Sequence, residues 1–210
     1  MLDYIYMNGD YSIIIFEIIV LVFSAVAHEY MHGWAAYQLG DNTAKDAGRL
    51  TINPLAHLEW FGSFFLPLMM VISGLPFIFG WAKPVPYNPY NLRDRRYGDA
   101  KVALAGPLTN LVLAILFGLC LRFLPFFNIT FSSLLSIIVY INLILMVFNL
   151  IPIPPLDGSK ILATFLPAEM RDRYLGNERM GFIFIILFVM LAGNMVIPVV
   201  DSLFRLIVGI

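Results

Sequence analysis

The first long apolar stretch of the chain decides its fold, and from Ser12 to Leu39 it reads SIIIFEIIVLVFSAVAHEYMHGWAAYQL. It contains three polar side chains within five residues, namely His28, Glu29 and His32. An ionisable side chain at membrane depth costs at least about 2.5 kcal/mol unless it is paired, bound to a metal or hydrated. Two histidines four residues apart project from one face of a helix, and the H-E-x-x-H spacing is typical of zinc-binding hydrolase helices. The stretch therefore predicts a membrane helix that carries a metal site.

The composition indicates a membrane protein. Of the 210 residues, 60% are hydrophobic and 13% are charged, with a mean hydropathy of +0.83, so too few charges remain to cover a water-facing surface. The net charge of −1 argues against nucleic acid as a partner. Cys120 is the single cysteine, which excludes a disulfide framework or a thiolate cluster. Any metal is therefore expected to have nitrogen and oxygen ligands.

Apolar runs long enough to cross a bilayer need about 20 residues at about 1.5 Å rise each. They predict an all-α membrane protein, a bundle of about four to five transmembrane helices. Acidic Asp3 and Asp10, with no basic residue before the first run, are unlike a cleaved signal peptide, so we expect this run to be retained. The four clear runs are Ser12 to Leu39, Ala100 to Leu124, Ser132 to Leu150 and Met180 to Val208.

A fifth run, Trp60 to Phe79, is expected to be a re-entrant segment. Two prolines and a glycine interrupt it as a helix. Basic residues concentrate in cytoplasmic loops. If the run re-enters and the N-terminus is outside the cell, all but two of the thirteen basic residues lie in cytoplasmic loops, and the two exceptions are Arg122 and Arg205. If the run crosses completely, four basic residues are left out of the cytoplasmic loops, namely Lys45, Arg49, Arg122 and Arg205.

The polar segments between the runs are short. Gly40 to His57, with Gly48 and Asn53-Pro54, predicts a short extended or β-hairpin-like loop rather than a helix. No polar stretch is long enough for an independent module. We therefore expect residues 1–210 to form a single integral-membrane domain.

A third metal ligand is needed beside His28 and His32, because catalytic zinc usually takes three protein ligands and keeps one position for water. Asp157 is the best candidate. It follows a membrane run and a proline-rich turn, and Gly158 lets the chain turn so that the carboxylate is directed into the protein. The alternative is an ordinary N-cap of the helical run from Gly158 to Leu166.

Glu29 points at a different angle from the histidine pair, close to the metal but available to its water. We expect it to be the general base, which takes a proton from water and passes it to a leaving amine. The alternative is a salt bridge with an arginine. Helix rise places His32 about 12 Å and His28 about 18 Å from Gly40, so the site is expected within the membrane, reached by water through a cavity.

Three ordered motifs resemble the site-2 protease family of intramembrane zinc metalloproteases. They are AHEYMHG around His28, AGPLTN from Ala105 to Asn110, and NLIPIPPLDG from Asn149 to Gly158. The resemblance implies His28, His32 and Asp157 as ligands of one catalytic Zn²⁺, Glu29 as catalytic base, and Asn149 as a catalytic-site polar group. No PDZ-like insertion or nucleotide-binding regulatory domain of other family members is expected in 210 residues.

Other polar residues have weaker assignments. Asn149 offers donors to a developing oxyanion or to an extended substrate, and the alternative is a residue that caps carbonyls at a helix end. Asn110 is expected to serve helix packing and interhelical hydrogen bonding, with Gly106 allowing close approach. His57, beside Glu59 and Trp60, is interpreted as an interfacial residue near the cavity mouth.

The sequence thus predicts an enzyme that hydrolyses peptide bonds in or near the transmembrane segment of a membrane-protein substrate. Its partners are that segment and the lipid bilayer, and its location is the cell membrane, with the active site toward the cytoplasmic side. An unwound substrate could pair with an edge in Gly40 to His57 or Lys83 to Tyr90. The alternatives are a metal transporter with a histidine–aspartate transit site and an inactive relative that binds membrane clients.

Overall fold

The computed structural model describes residues 11–60, 83–124, 128–176 and 178–210, together with Phe65, Met69 and Ile72. Throughout these residues the regular structure is helical and no strand is present, which confirms the all-α class. The α-helices are α1 Tyr11–Gln38, α2 Thr43–Asp46, α3 Gly98–Phe123, α4 Ile129–Asn149, α5 Asp157–Ala163, α6 Ala168–Leu175, α7 Glu178–Ala192 and α8 Val196–Val208. Single 3-10 turns occur at Pro54–Ala56, Pro89–Asn91 and Gly193–Met195.

Four helical segments in the described residues are long and apolar enough to cross a membrane. The largest difference from the predicted bounds is three residues, at the start of two spans: Ile129 instead of Ser132, and Ile183 instead of Met180. Only 12% to 33% of the most apolar window of each span is buried inside the protein, so most apolar side chains face outward, as lipid contact requires. The chain is therefore a multi-pass integral membrane protein. The spans are Ser12–Gln38, Gly98–Phe123, Ile129–Asn149 and Ile183–Val208.

Helix α3 lies at the centre of the bundle and packs against α1, α4, α5 and α8. A buried apolar cluster joins α3, α4 and α8, and includes Ala114, Leu143 and Val200. The Tyr140 hydroxyl of α4 donates a 2.5 Å hydrogen bond to Asp201 Oδ1 of α8. This bond satisfies a carboxylate within an apolar span and holds the last helix against the bundle.

The last span is predicted as one run but consists of two helices, α7 and α8, joined by the 3-10 turn Gly193–Met195. Gly193 has low helix propensity, and Pro198 has no N–H to donate to the carbonyl four residues earlier. These two residues account for the interruption.

The loop after α1 differs from the predicted extended or hairpin form. Gly40 has a φ of 103°, a left-handed conformation that glycine adopts readily and that ends α1. Between Gly40 and His57 the chain then forms α2 and the turn Pro54–Ala56. Asn53 Oδ1 accepts from Leu55 N and caps that turn. Such local bonds satisfy the backbone without a partner strand.

The predicted re-entrant run, Trp60 to Phe79, lies outside the described residues apart from a few isolated positions. The residues on either side of it are joined, since Lys83 N donates to His57 O at 2.8 Å. Arg93 N likewise donates to Leu39 O at 2.8 Å. The end of α1, the loop before α3 and the start of α3 therefore lie at the same end of the bundle.

Candidate metal centre and active site

The two histidines of α1 and the first residue of α5 meet in the protein interior. His28 Nε2 lies 3.1 Å and His32 Nε2 3.2 Å from Asp157 Oδ2. The three residues are 6%, 8% and 6% exposed, so this is a buried polar cluster. The N-cap alternative for Asp157 is wrong, because the cap position is Leu156 and no side chain caps α5. The Asp157 carboxylate is directed at the histidines instead.

Hydrogen bonds to the other ring nitrogens indicate which nitrogen carries the proton. His28 Nδ1 is 2.6 Å from Asn110 Oδ1, and His32 Nδ1 is 2.7 Å from the carbonyl oxygen of Val102. Both partners are acceptors, so each Nδ1 is the donor, and in a neutral imidazole the Nε2 then carries a lone pair. The two Nε2 lone pairs and the Asp157 oxygen converge on one point.

This convergence fits a metal ion. Acceptor atoms about 3 Å apart repel one another unless a proton or a metal ion lies between them. One ligand atom from each of the three residues lies within 4.8 Å of the other two. Tetrahedral zinc, with bonds of about 2.0 to 2.1 Å, places its ligand atoms about 3.3 Å apart, close to the contacts with Asp157. A site with two imidazoles and one carboxylate suits zinc and leaves one position for water.

Gly106 of α3 keeps the space in front of the histidines open. A Cβ built at this position would lie 2.5 Å from the Nε2 atoms of both His28 and His32. Real Cβ atoms essentially never approach other atoms this closely. The sequence interpretation of Gly106 as a close-packing residue was therefore incomplete, since the missing side chain also leaves room at the convergence point.

Replacing Gly106 by Ala is expected to lower zinc affinity by about 100-fold or more, since the added methyl group competes with the ion for its space. Zinc affinity is measured by chelator competition with the purified protein in detergent. Gly118→Ala in the same helix is the matched control, because its Cβ would meet the Ile207 side chain in the bundle and not the histidines. Wild-type zinc affinity in Gly106→Ala would contradict the proposed metal position.

A buried amide network supports His28. Asn110 Nδ2 donates to Asn142 Oδ1 at 3.0 Å, and Asn142 Nδ2 donates to Ser24 Oγ at 3.0 Å. All three residues are at most 4% exposed. The expected interhelical hydrogen bonding of Asn110 is therefore found, and it ends on a candidate ligand. Asn142 and Ser24 were missed, although polar residues inside apolar runs were a signal for them.

Loss of the Asn110 amide is expected to reduce zinc affinity by about 10- to 100-fold, because hydrogen bonds to the far nitrogen of a metal-binding histidine orient its ring. The test is Asn110→Leu, measured by chelator competition. Thr109→Val is the control, since the Thr109 hydroxyl donates within its own helix, to Ala105 O. An affinity for Asn110→Leu equal to that of Thr109→Val would show that the amide has no such role.

Glu29 lies beside the cluster without joining it. Its Oε2 accepts a 2.9 Å hydrogen bond from the backbone N–H of Val85. Among the described residues no arginine forms an ion pair with Glu29, so the salt-bridge alternative is not supported. The Val85 contact was not anticipated from the sequence.

Two further predicted residues lie in other settings. Asn149 is the last residue of α4, and its Nδ2 donates to Leu145 O, one turn earlier in the same helix, at 2.9 Å. His57 is completely buried, with Nε2 2.7 Å from Thr51 O, and its expected place at the membrane interface stays a prediction. In the described part of the chain the candidate metal cluster does not include His57.

Comparisons with known proteins identify relatives of the chain. A family model described as "Peptidase family M50" matches residues 125–193. "Putative zinc metalloprotease YwhC" of Bacillus subtilis is 36% identical over 195 residues, which cover 89% of this chain and 85% of that protein. "Putative zinc metalloprotease MJ0611" of Methanocaldococcus jannaschii is 31% identical, with 76% of each chain covered. "Putative zinc metalloprotease Rip2" of Mycolicibacterium smegmatis is 30% identical, but only 62% of its length is covered. No solved structure matched the chain.

The fold and the buried cluster define the class of protein, an all-helical integral membrane protein with a candidate histidine–aspartate metal site. The similarity to named zinc metalloproteases identifies the family within this class. The chain belongs to peptidase family M50, the site-2 protease family, as its motifs predicted.

Proposed function

We propose that this protein is an intramembrane zinc metalloprotease that hydrolyses peptide bonds in or near the transmembrane segments of other membrane proteins. The observation that carries the proposal is the convergence of His28, His32 and Asp157 beside Glu29. In this proposal the first three residues hold one zinc ion and Glu29 is the general base. We further propose that residues 1–210 act as one domain organised around the central helix α3.

In the proposed hydrolysis, the zinc ion and Glu29 have different roles. A bound zinc ion supplies a Lewis acid that activates water and polarises the substrate carbonyl. The Glu29 carboxylate accepts a proton from the attacking water and then delivers it to the leaving amine nitrogen. A C–O bond forms, the peptide C–N bond breaks, and Glu29 returns to its starting state.

Asn149 stays in the proposal as a group that contacts the substrate. Its amide nitrogen has two hydrogens and uses one for Leu145 O. The other hydrogen and the side-chain carbonyl oxygen are suited to a substrate backbone or a developing oxyanion.

The substrate class follows from the depth of the site. Along α1, His32 lies about 12 Å and His28 about 18 Å from Gly40, within the span. A peptide in lipid must satisfy its own backbone groups and is therefore helical, so the scissile segment must unwind locally. An unwound segment needs new hydrogen-bond partners, which a protein edge can supply.

The two segments that could pair with a substrate strand differ in how many backbone hydrogen-bond donors they have free. In Lys83 to Tyr90 three residues are prolines, and the amides of Lys83, Val85, Asn88 and Tyr90 already donate within the protein. This segment has few donors left for a substrate strand. Much of the stretch Gly40 to His57 is likewise bonded within the protein, in α2 and the turn Pro54–Ala56, so the proposal favours only the part between these two elements, where Ile52 is 72% exposed.

The proposed orientation places the loops around the site on the cytoplasmic side of the cell membrane. It rests on the concentration of basic residues in those loops. The end of α1 and the loop before α3 are joined at that end of the bundle.

The test uses purified protein in proteoliposomes with single-span membrane proteins as substrates. Cleavage is detected by mass spectrometry of the new termini, and zinc flux is measured in the same vesicles. New termini within or next to the substrate span support the proposal. Zinc flux without cleavage would favour the transporter alternative, and retention of substrates without cleavage or flux would favour the client-binding alternative.

A further inference from the structure

An extended segment from Lys83 to Asn88, called here the strap, crosses α1 on the face next to the histidines. Val85 in its middle is 5% exposed, and its N–H donates to Glu29 Oε2 at 2.9 Å. One turn further along α1, a Cβ at Gly33 would lie 2.8 Å from Val85 Cγ1. Gly33 therefore lets the strap lie directly on the helix, with Val85 against Glu29.

The sequence of the strap isolates one hydrogen-bond donor. Pro84 and Pro86 have no N–H, so Val85 supplies the single backbone donor in three residues, and that donor goes to Glu29. A following proline also restricts Val85 to extended backbone conformations. The direction of the Val85 N–H is thus set by the chain itself.

Both ends of the strap are fastened. At the first end, Lys83 N donates to His57 O at 2.8 Å, and Arg49 Nη2 donates to Lys83 O at 2.9 Å. At the other end, Asn88 N donates to Asp41 Oδ2 at 2.7 Å. Asp41 follows α1 by only a few residues, so the strap is anchored to the helix that carries Glu29.

Asp41 is well suited to this anchoring. It is completely buried, and its Oδ1 accepts from Asn91 Nδ2 at 2.9 Å and from Thr43 Oγ1 at 2.6 Å. Burial by itself would raise the pKa of Asp41, but the hydrogen bonds from Thr43, Asn88 and Asn91 outweigh burial and lower it. The carboxylate is therefore ionised at neutral pH and is a strong acceptor for the strap.

We propose that the main-chain amide of Val85 is the positioning group of Glu29: it holds Oε2 so that Oε1 is directed at the attacking water. This inference rests on the proposed function, because it assigns Glu29 the role of base. A carboxylate on a flexible side chain has several rotamers, and one fixed oxygen removes most of them. Anchoring at Lys83 and Asn88 keeps the donor in place while a substrate enters.

The amide is tested by comparing Val85→Pro with Val85→Ala. Both variants remove the valine side chain, but only proline removes the N–H, and a third proline suits an extended backbone. We expect kcat of Val85→Pro to be roughly 10- to 100-fold below that of Val85→Ala, with similar KM and zinc content. Equal kcat in the two variants would overturn the inference, as would a higher kcat in Val85→Pro, which would mean that the strap blocks Glu29.

A second measurement needs neither activity nor a change in the strap. Hydrogen–deuterium exchange of the Val85 amide, the single exchangeable amide of residues 84–86, is compared in wild type and Glu29→Ala. We expect roughly 10-fold faster exchange in Glu29→Ala, with unchanged exchange at Asn88, whose acceptor is Asp41. Unchanged exchange at Val85 would show that Glu29 does not hold this amide.

Failure of the inference differs from failure of the proposed function. If wild-type protein cleaves substrate and the two Val85 variants are equal, only the positioning role is wrong. If wild-type protein with bound zinc cleaves no membrane substrate, the proposed function is wrong, and the exchange measurement still decides whether Val85 and Glu29 are bonded.

Discussion

Glu29→Gln is expected to lower the rate of peptide-bond hydrolysis by about 10²- to 10⁴-fold while zinc stays bound. Glutamine has nearly the shape of glutamate and can still accept the Val85 hydrogen bond through its carbonyl oxygen. It cannot take a proton from water at neutral pH. The variant therefore removes the proposed base and leaves its surroundings intact.

The measurement for Glu29→Gln is the single-turnover rate of cleavage of one membrane substrate in detergent, together with zinc content and melting temperature. Glu169→Gln, an exposed position in α6, is the matched control and is expected to match wild type. Wild-type activity of Glu29→Gln would remove the general-base assignment. Loss of zinc together with activity would instead indicate that Glu29 is a ligand.

Zinc binding is expected to fall by more than about 100-fold in His32→Ala and in Asp157→Ala. Even the outer partners of metal ligands contribute about 10- to 100-fold to affinity, and a ligand contributes more. Each variant leaves two of three donors, so a tetrahedral site would need water in two positions instead of one. Loss of Asp157 also removes the negative charge that a divalent cation requires in a buried site.

Zinc content of purified protein and chelator competition measure this loss. Asp172→Ala is the matched control, because the Asp172 side chain is 75% exposed and lies outside the cluster. Equal zinc occupancy in wild type, His32→Ala and Asp157→Ala would contradict the ligand set. Loss in one variant alone would mean that the other residue is not a ligand.

The membrane spans were predictable because bilayer thickness imposes a minimum apolar length, which a local run of residues records directly. The predicted and observed spans agree for this reason. Details that depend on backbone hydrogen bonding were less predictable. The short helix α2 appears where a hairpin-like loop was expected, and a 3-10 turn at Gly193 divides the last span.

The candidate site was partly predictable. His28, Glu29 and His32 lie within one helical turn or so, and helix geometry alone places the two histidines on one face. Asp157 was selected by motif and by turn chemistry, and it meets the histidines as expected. The burial of His57 was not anticipated, because its contacts with Thr51 and Lys83 are not evident from its own neighbours in sequence.

The contacts of three groups of the site could be found only in the tertiary structure. Gly106 leaves room in front of the histidines, Asn142 completes the network behind Asn110, and Val85 donates to Glu29. Each contact joins residues far apart in the chain. A glycine, an asparagine and a backbone amide have no chemical signature that reveals which distant group they will meet.

The sequence by itself determined the long apolar spans and the two histidines on one helix face, because periodicity and apolar length are local properties of the chain. Only the tertiary structure decided how α3, α5 and the strap approach that face. Their approach depends on side-chain packing and on the burial of polar groups, which are properties of contacting surfaces.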